Sequence, residues 1–157
     1  MSCGVYMEFK ITSGTPEQLE TQCLVVGIGE GGDLGSAAQA LDDASNGYLS
    51  SVLEAGDISG KKAQTLLLQA IPGIKAKRTL LVGLGKAEER NDNNFIKVIS
   101  AALSVIKSIQ CSGATFSLDQ NASTDRDCYW QTRKLVETIS ADKGLQKQWK
   151  IKLGWKR

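Results

Sequence analysis

The chain contains no histidine. Histidine is the commonest general base in enzymes and the commonest zinc ligand. A Ser-His-Asp or Cys-His catalytic arrangement therefore cannot be built from this chain alone. The four cysteines, Cys3, Cys23, Cys111 and Cys128, form no Cys-x-x-Cys pair, which disfavours a zinc ribbon or a thioredoxin-type site. We expect free thiols, with Cys23 as a small core residue at the start of an apolar run.

Long hydrophobic segments are also missing. No window approaches the roughly 18 apolar residues that a membrane span needs, and the first seven residues lack the basic start and apolar run of a signal peptide. These absences favour a soluble, cytoplasmic protein without membrane contact. With 157 residues, 41% of them hydrophobic, the chain is expected to form one domain with a proper core.

The net charge of +2 is small but unevenly distributed. Residues 143–157 carry six of the 19 basic residues and no acid, so residues 1–142 hold 13 basic and 17 acidic residues, a net of −4. The charge of the whole domain does not favour a nucleic-acid binder. The basic segment is the only local support for DNA contact.

The apolar run in Arg78–Lys86 organises the predicted fold. Leu80, Leu81 and Val82 follow one another without alternating polar residues, which is typical of a strand buried on both faces. Two glycines follow, and they permit a tight turn and close backbone approach. A helical pattern over 92–110 comes next, with an apolar stripe and Asp92 as its N-cap. Strand, turn and helix together predict an α/β fold.

The remaining pattern completes a sheet of four or five strands covered by helices. A strand at 64–71 should pair with the central strand as a hairpin-like unit in the middle of the sheet. The alternating segment 149–156 predicts an added edge strand or a disordered tail, or alternatively a contact surface for another chain. Further strands are predicted at 7–12, 21–28 and 114–118, and further helices at 36–43, 48–55 and 127–142.

Two glycine-rich stretches invite a phosphate-binding interpretation. Gly27, Gly29 and Gly32 satisfy Gly-x-Gly-x-x-Gly, but the region that should supply the confirming acid reads as helix, so a plain glycine loop is the preferred interpretation. The Gly83-Leu84-Gly85-Lys86 stretch lacks the spacing and ending of a Walker motif. We expect Gly83 and Gly85 to permit the turn and Lys86 to be solvated.

Acidic pairs and tryptophans are the other candidates. The pairs Asp42-Asp43, Glu88-Glu89 and Asp125–Asp127 fall in separate loops or helix faces, which favours capping and solvation over a two-metal site. Trp130 and the tryptophans of the C-terminal segment could stack on bases, but core or interface anchoring is the commoner role.

Several of these stretches, in this order, resemble the N-terminal domain of the cytosolic leucyl aminopeptidase family. The resemblance covers about residues 7–140. It is carried by Leu41-Asp42 with Asn46-Gly47-Tyr48-Leu49, by Leu53-x-x-Gly56-Asp57-x-x-Gly60-Lys61, by Thr65-Leu66-Leu67-Leu68, by Tyr129-Trp130, and above all by Arg78-Thr79-Leu80-Leu81-Val82-Gly83-Leu84-Gly85-Lys86.

The resemblance implies a three-layer α/β domain, similar to macro domains, with a mixed, mostly parallel sheet between helices. It also implies a parent enzyme that removes N-terminal residues from peptides with two divalent metals, zinc or manganese, and that assembles as a homo-hexamer of two-domain subunits. The family's metal ligands and catalytic residues lie in its C-terminal domain, and its Asn-Thr-Asp-Ala-Glu-Gly-Arg motif is absent from this sequence.

We therefore assign no catalytic, cofactor-binding or metal residue to this chain. Residues 1–142 are expected to form the N-terminal domain, and 143–157 a basic tail or the start of a linker, with the catalytic domain absent. The expected role is subunit packing and access to the active site, with a C-terminal catalytic domain and other subunits as partners. The alternatives are a macro-like module for a nucleotide or ADP-ribose, and a regulatory DNA-contacting domain.

Overall fold

The computed structural model describes residues 7–12, 14–109, 113–118, 128–142 and 149–154. Its strands are β1 (Met7–Thr12), β2 (Leu24–Gly29), β3 (Asp33–Leu34), β4 (Thr65–Gln69), β5 (Arg78–Gly85), β6 (Gly113–Ser117) and β7 (Trp149–Gly154). Its helices are α1 (Ser36–Ala44), α2 (Tyr48–Glu54), α3 (Asp92–Ser108) and α4 (Cys128–Ser140), with short 3-10 turns at Pro16–Gln18 and Ala87–Glu89.

All seven of these strands belong to one sheet, in the order β1-β7-β6-β2-β5-β4, with β3 paired to β2. Neighbours along that order run parallel, except that β4 is antiparallel to β5; β3 is antiparallel to β2. The predicted fold class, α/β with a mixed and mostly parallel sheet, is confirmed. The sheet has more strands than the four or five expected.

Helices cover both faces of the sheet, which gives the predicted three layers. On one face, buried side chains such as Val25 and Leu80 pack with Phe95 and Ile99 of α3 and with Leu135 of α4. On the opposite face, side chains of β2 and β5 pack with α1 and α2; this second core includes Leu24, Val26, Leu81, Leu41 and Leu49. Because consecutive residues of β2 and β5 serve different cores, both strands are continuous apolar runs.

The predicted position of the hairpin-like pair is wrong. Strands β4 and β5 do pair antiparallel, but β4 is the last strand at one end of the sheet. The other side of β5 pairs in parallel with β2, and the sheet grows from there through β6, β7 and β1. The centre of the sheet is therefore the parallel pair of β2 and β6.

The predicted edge position of the C-terminal segment is also wrong. Strand β7 is neither a disordered tail nor an edge, since it lies between β1 and β6 and runs parallel to both. The alternating pattern correctly predicts a strand. It could not predict that both backbone edges of that strand would be paired, because the pattern describes faces and not neighbours.

Helix boundaries follow the local signals closely. The chain turns at Asn46 and Gly47, whose φ values are 56° and 83°, and α2 starts directly afterwards. Helix α3 is capped one residue earlier than predicted, because Asn91 and not Asp92 accepts from the Asn94 backbone N–H. Its predicted core stripe is confirmed. Among the helices that the structure describes, none is long and apolar enough to span a bilayer.

The exposed side of α4 carries a local ion-pair network. Arg133 Nε donates to Glu137 at 2.9 Å, and Lys134 Nζ donates to the same carboxylate at 3.3 Å. The hydrogen bonds from Arg133 and then from Lys134 lower the pKa of Glu137 below its ordinary value of 4.5. Pairs of this kind at exposed sites contribute little to stability.

Candidate functional site

The carboxyl ends of the parallel strands β2 and β5 lie side by side, at the end of the sheet where open α/β folds usually bind ligands. The turn after β2 and the end of β5 are connected directly. The Glu30 backbone N–H donates to the Gly85 carbonyl at 3.1 Å. The candidate site is therefore built on backbone segments, at residues 29–32 and 83–85.

A third segment, residues 59–64, lies across the ends of β2 and β5 and is hydrogen-bonded to both. The Gly85 N–H donates to the Gly60 carbonyl at 2.9 Å, and the Gly31 N–H donates to the Ser59 carbonyl at 3.4 Å. The Gly83 N–H donates to the Gln64 carbonyl at 2.7 Å. Segment 59–64 thus covers the carboxyl ends of β2 and β5.

Two glycines make this close approach possible. A Cβ atom on Gly83 would overlap the carbonyl oxygen of Lys61, and a Cβ on Gly60 would overlap the carbonyl of Gly29. Gly60 also has φ +86°, which side chains rarely adopt. Glycine is therefore required here by backbone packing, and Gly83 does not form a phosphate-binding turn.

The side chain of Gln64 organises segment 59–64. Its Oε1 accepts from the Ser59 N–H and Oγ at 3.0 Å each, from the Gly60 N–H at 3.1 Å and from the Lys61 N–H at 3.3 Å. Successive backbone N–H groups that converge in this way form a concavity suited to an anion. In this structure the amide oxygen of Gln64 fills it.

An open cavity of about 490 Å³ lies beside this arrangement. Its walls come from the turn after β2, the end of α2 and the start of segment 59–64, and its lining residues are Glu30, Gly31, Gly32, Leu53, Glu54, Gly56, Ile58 and Ser59. The charged lining residues are both glutamates, and the wall includes the C-terminal end of α2, where the helix dipole is negative. This electrostatic environment disfavours a polyphosphate.

The sequence candidates in the first glycine stretch do not assemble a dinucleotide site. Gly27 lies inside β2, where Leu84 packs against it, and Gly29 lies against the guanidinium of Arg90. After Gly32 the chain enters the short strand β3 before α1 begins at Ser36. A pyrophosphate turn needs strand and helix to be joined by the glycines directly. The preferred interpretation of a structural glycine loop is consistent with this geometry.

The second glycine stretch differs in detail from the prediction. Gly83 is an interior residue of β5, and Gly85, with φ +78°, ends that strand. Lys86 is exposed, as expected. The stretch therefore permits contact with segment 59–64 as well as the turn that follows.

The acidic pairs serve local structure. Asp42 is buried and accepts from the Ser50 N–H at 2.8 Å and from the Ser50 Oγ at 2.6 Å, which ties α1 to α2. Asp43 is exposed, and Glu88 and Glu89 lie in a 3-10 turn. The pair Asp125–Asp127 falls outside the described residues.

No metal centre fits the donor set that the structure describes. Within those residues, no three histidine, cysteine, aspartate or glutamate side chains come together closely enough to hold an ion. The sequence has no imidazole to offer either. The two divalent metals implied by the family resemblance therefore have no ligand set in the described part of this chain.

Cys23 lies in the packed interior and Trp130 packs against it, as the sequence predicts. Trp130 packs on Phe95, with ring centroids 5.6 Å apart and planes inclined by 53°, so it anchors α4 to α3. Cys23 is fully buried as a free thiol, as predicted. Cys3, Cys111 and Trp155 lie outside the described residues.

Sequence reasoning missed Gln64. The glycines at 56 and 60 mark a loop, but a glutamine at the start of a predicted strand carries no signal that its amide oxygen will accept from four donors. All four donors lie three to five residues before Gln64, so the arrangement is local, but it depends on the positive φ angles of Gly60 and Ala63 that turn the segment back on itself.

Comparison with known proteins gives the family. A sequence profile described as "Cytosol aminopeptidase family, N-terminal domain" matches residues 25–142. A probable cytosol aminopeptidase of Pseudomonas fluorescens is 49% identical over 133 residues, which are 85% of this chain and 27% of that protein. The chain thus spans about a quarter of the length of the curated relatives it matches.

Solved structures show the same fold. A tomato leucine aminopeptidase mutant aligns over 98% of this chain and 34% of its own, with TM-score 0.72 and 22% identity. A Trypanosoma brucei macrodomain aligns over 99% of this chain and 65% of its own, with TM-score 0.74 and 12% identity. An Oceanobacillus iheyensis macrodomain with ADP aligns over 94% and 83%, with TM-score 0.65 and 13% identity.

At these low identities the solved structures establish the fold alone, which is macro-like as predicted. The profile match covers most of the chain and carries the family assignment. The chain belongs to the cytosol aminopeptidase family, whose N-terminal domain it contains.

Proposed function

We propose that this chain is the non-catalytic N-terminal part of a metallo-aminopeptidase that removes N-terminal residues from peptides. The observation that carries the proposal is the match to the family's N-terminal domain together with a span of 27% of its relative's length. The two divalent metals, zinc or manganese, and the catalytic side chains would then belong to a C-terminal catalytic domain. The cytosol named in the relatives' descriptions supports a cytoplasmic location.

The role proposed for the domain is to help pack subunits of a homo-hexamer and to shape access to the active site. Segment 59–64 supports a packing role over a ligand-binding role, because its hydrogen bonds hold it across the strand ends where open α/β sheets usually bind ligands. The assignment of residues 1–142 to this domain and of 143–157 to a following basic segment stays a prediction. Strand β7 links the second segment to the sheet of the first.

An activity assay tests the proposal. The chain is incubated with a leucyl chromogenic substrate and Mn²⁺ or Zn²⁺, beside a full-length relative such as the Pseudomonas aeruginosa cytosol aminopeptidase. We expect no turnover above the buffer rate from the chain and clear turnover from the relative. Metal analysis after dialysis should find no ion retained. Turnover by the chain at the relative's rate would refute the proposal.

The second candidate function is a nucleotide or ADP-ribose module. The macro-like fold and the 490 Å³ cavity beside the strand ends favour it, and one structural relative is described with ADP. The two glutamates of the cavity oppose a diphosphate. Calorimetry with ADP-ribose tests whether the cavity binds this ligand. Absence of heat dismisses the binding module. Saturable heat that disappears when Leu53 is replaced by a bulkier tryptophan supports it.

The third candidate is a regulatory DNA contact through the basic segment. Its support is the six basic residues in 143–157. Replacing Lys143, Lys147, Lys156 and Arg157 by glutamine should weaken duplex binding and flatten its salt dependence if the contact exists. Equal binding by the parent chain and this variant would exclude these four side chains as a DNA contact.

A further inference from the structure

Among the strands that the structure describes, β4 is an open edge of the sheet. It stands last in the strand order, and among the described strands it pairs only with β5. A strand in this position presents a row of backbone N–H and C=O groups that another chain can pair with.

The hydrogen bonds at its two ends determine which groups point outward. The Gly83 N–H donates to the Gln64 carbonyl at 2.7 Å, and the Ala70 N–H donates to the Lys77 carbonyl at 3.0 Å. Residues along an antiparallel strand bond alternately to one side and to the other. The even-numbered residues therefore bond β5, and the odd-numbered residues face the open edge. The outward-facing residues are Thr65, Leu67 and Gln69.

The composition of this edge lacks the usual protection against pairing. Exposed edges are commonly blunted by charged side chains, proline or bulges. Strand β1 at the opposite end of the sheet contains Glu8 and Lys10, whereas β4 reads Thr-Leu-Leu-Leu-Gln, with no charge and no proline. Its three leucines are only half-buried. Leu67 packs towards the core beneath α3 and α4, and Leu66 and Leu68 pack towards the opposite core.

We propose that β4 pairs antiparallel with β4 of a second copy of this chain about a two-fold axis through Leu67. In this register Leu67 opposes its own copy and Thr65 opposes Gln69 of the other strand. Every outward N–H and C=O of the strand then finds a partner, since each opposed pair exchanges two hydrogen bonds. A register shifted by two residues would leave some of these groups unpaired.

A second copy suits this edge better than an unrelated charged peptide. The strand has no charge with which to recognise a charged partner, and its outward groups are spaced symmetrically about Leu67. The half-exposed leucines of the two copies would cover one another on both faces of a continuous sheet. The pairing of two β4 strands would be one contact surface in the subunit packing proposed above, and it rests on that proposal. Self-association can be measured without catalytic activity, so the strand pairing and the proposed function can fail separately.

The first measurement is self-association of the 157-residue chain. A short strand pairing buries less area than a standard interface, so we expect a weak dimer, with dissociation constants between about 10 μM and about 1 mM in sedimentation velocity. Amide exchange by NMR identifies the surface. Exchange at Thr65, Leu67 and Gln69 should slow with rising concentration, whereas Leu66 and Leu68 should be protected throughout. A chain that stays monomeric, or a dimer without this alternation, overturns the proposal.

Charge variants test the two-fold register. Thr65→Lys with Gln69→Lys places like charges opposite one another in both pairs across the axis, and should weaken dimerisation at least tenfold. Thr65→Lys with Gln69→Glu places a lysine opposite a glutamate and should restore it. Circular dichroism checks that both variants fold. Equal behaviour of the two folded variants contradicts the register, and if either unfolds, the exchange pattern of the parent chain decides.

Discussion

Removing the amide of Gln64 should loosen segment 59–64 and lower global stability by about 1–3 kcal/mol. Four donors share its Oε1, at 3.0 to 3.3 Å. One carbonyl oxygen has two lone pairs, so these contacts amount to about two full hydrogen bonds. Each is worth about 0.5–1.5 kcal/mol net, and the half-exposed position lets water replace part of the loss in Gln64→Ala.

The matched change Gln64→Glu keeps the acceptor and adds a charge. Hydrogen bonds to a charged group are worth about 1.5–3 kcal/mol, so this variant should equal or exceed the parent in stability at pH 7. The converging N–H groups would depress the pKa of the new carboxylate. Its contribution should therefore be present above its unfolded pKa of about 4.3 and be lost as the pH falls through the lower folded value.

Urea unfolding followed by circular dichroism measures both effects. Amide exchange at Ser59, Gly60 and Lys61 should accelerate in Gln64→Ala and remain slow in Gln64→Glu. The control is Gln18→Ala, at an exposed glutamine far from the loop in sequence, which should change stability by less than about 0.5 kcal/mol. If Gln64→Ala behaves like the control, or if Gln64→Glu is the less stable variant at pH 7, the account of this loop is refuted.

Three further predictions concern other parts of the structure. Gly83→Ala should cost about 3 kcal/mol or more in urea unfolding, because its Cβ meets backbone, whereas Gly32→Ala, at positive φ but in open space, should cost only about 1–2 kcal/mol. Asp42→Ala should cost about 2–3 kcal/mol by leaving α2 donors unpaired, and exposed Asp43→Ala less than about 0.5 kcal/mol, in the same assay. Arg133→Gln should raise the pKa of Glu137 towards 4.5 in an NMR titration, because it removes a hydrogen bond that lowers this pKa. An unchanged titration midpoint would show that Arg133 and Glu137 are not paired in solution.

Local patterns predicted most elements because they are set by short-range chemistry. The run Leu80–Val82 specified a strand buried on both faces, and Phe95, Ile99 and Leu103 specified the core side of α3. The Asn46-Gly47 pair marked the break between α1 and α2, since these residues tolerate positive φ. Such signals need only a few neighbouring residues.

Strand neighbours could not be predicted in the same way. A strand with an alternating face looks alike whether one or both of its backbone edges are paired, so the pattern predicts β7 at an edge, whereas β7 lies inside the sheet. The sequence likewise predicts the antiparallel pair of β4 and β5 in the middle of the sheet, whereas the pair lies at its end. Both errors concern long-range pairing, which depends on segments distant in sequence.

The candidate site shows the same division. The glycines of the site are evident in the sequence, but the backbone contacts that require them are not. Gly83 and Gly60 are required because segment 59–64 passes over the strand ends, and that path depends on hydrogen bonds to residues distant in sequence, such as those that join Gly60 to Gly85 and Ser59 to Gly31.

The sequence by itself determined the fold class, most of the elements and the family. Apolar periodicity defines faces, glycine and asparagine define breaks, and the ordered motifs, above all Arg78 to Lys86, carry the resemblance. Only the tertiary structure decided which strands are neighbours, which edge stays open and how segment 59–64 covers the strand ends. Those outcomes depend on backbone hydrogen bonds between distant segments, and backbone groups are the same for nearly every residue type.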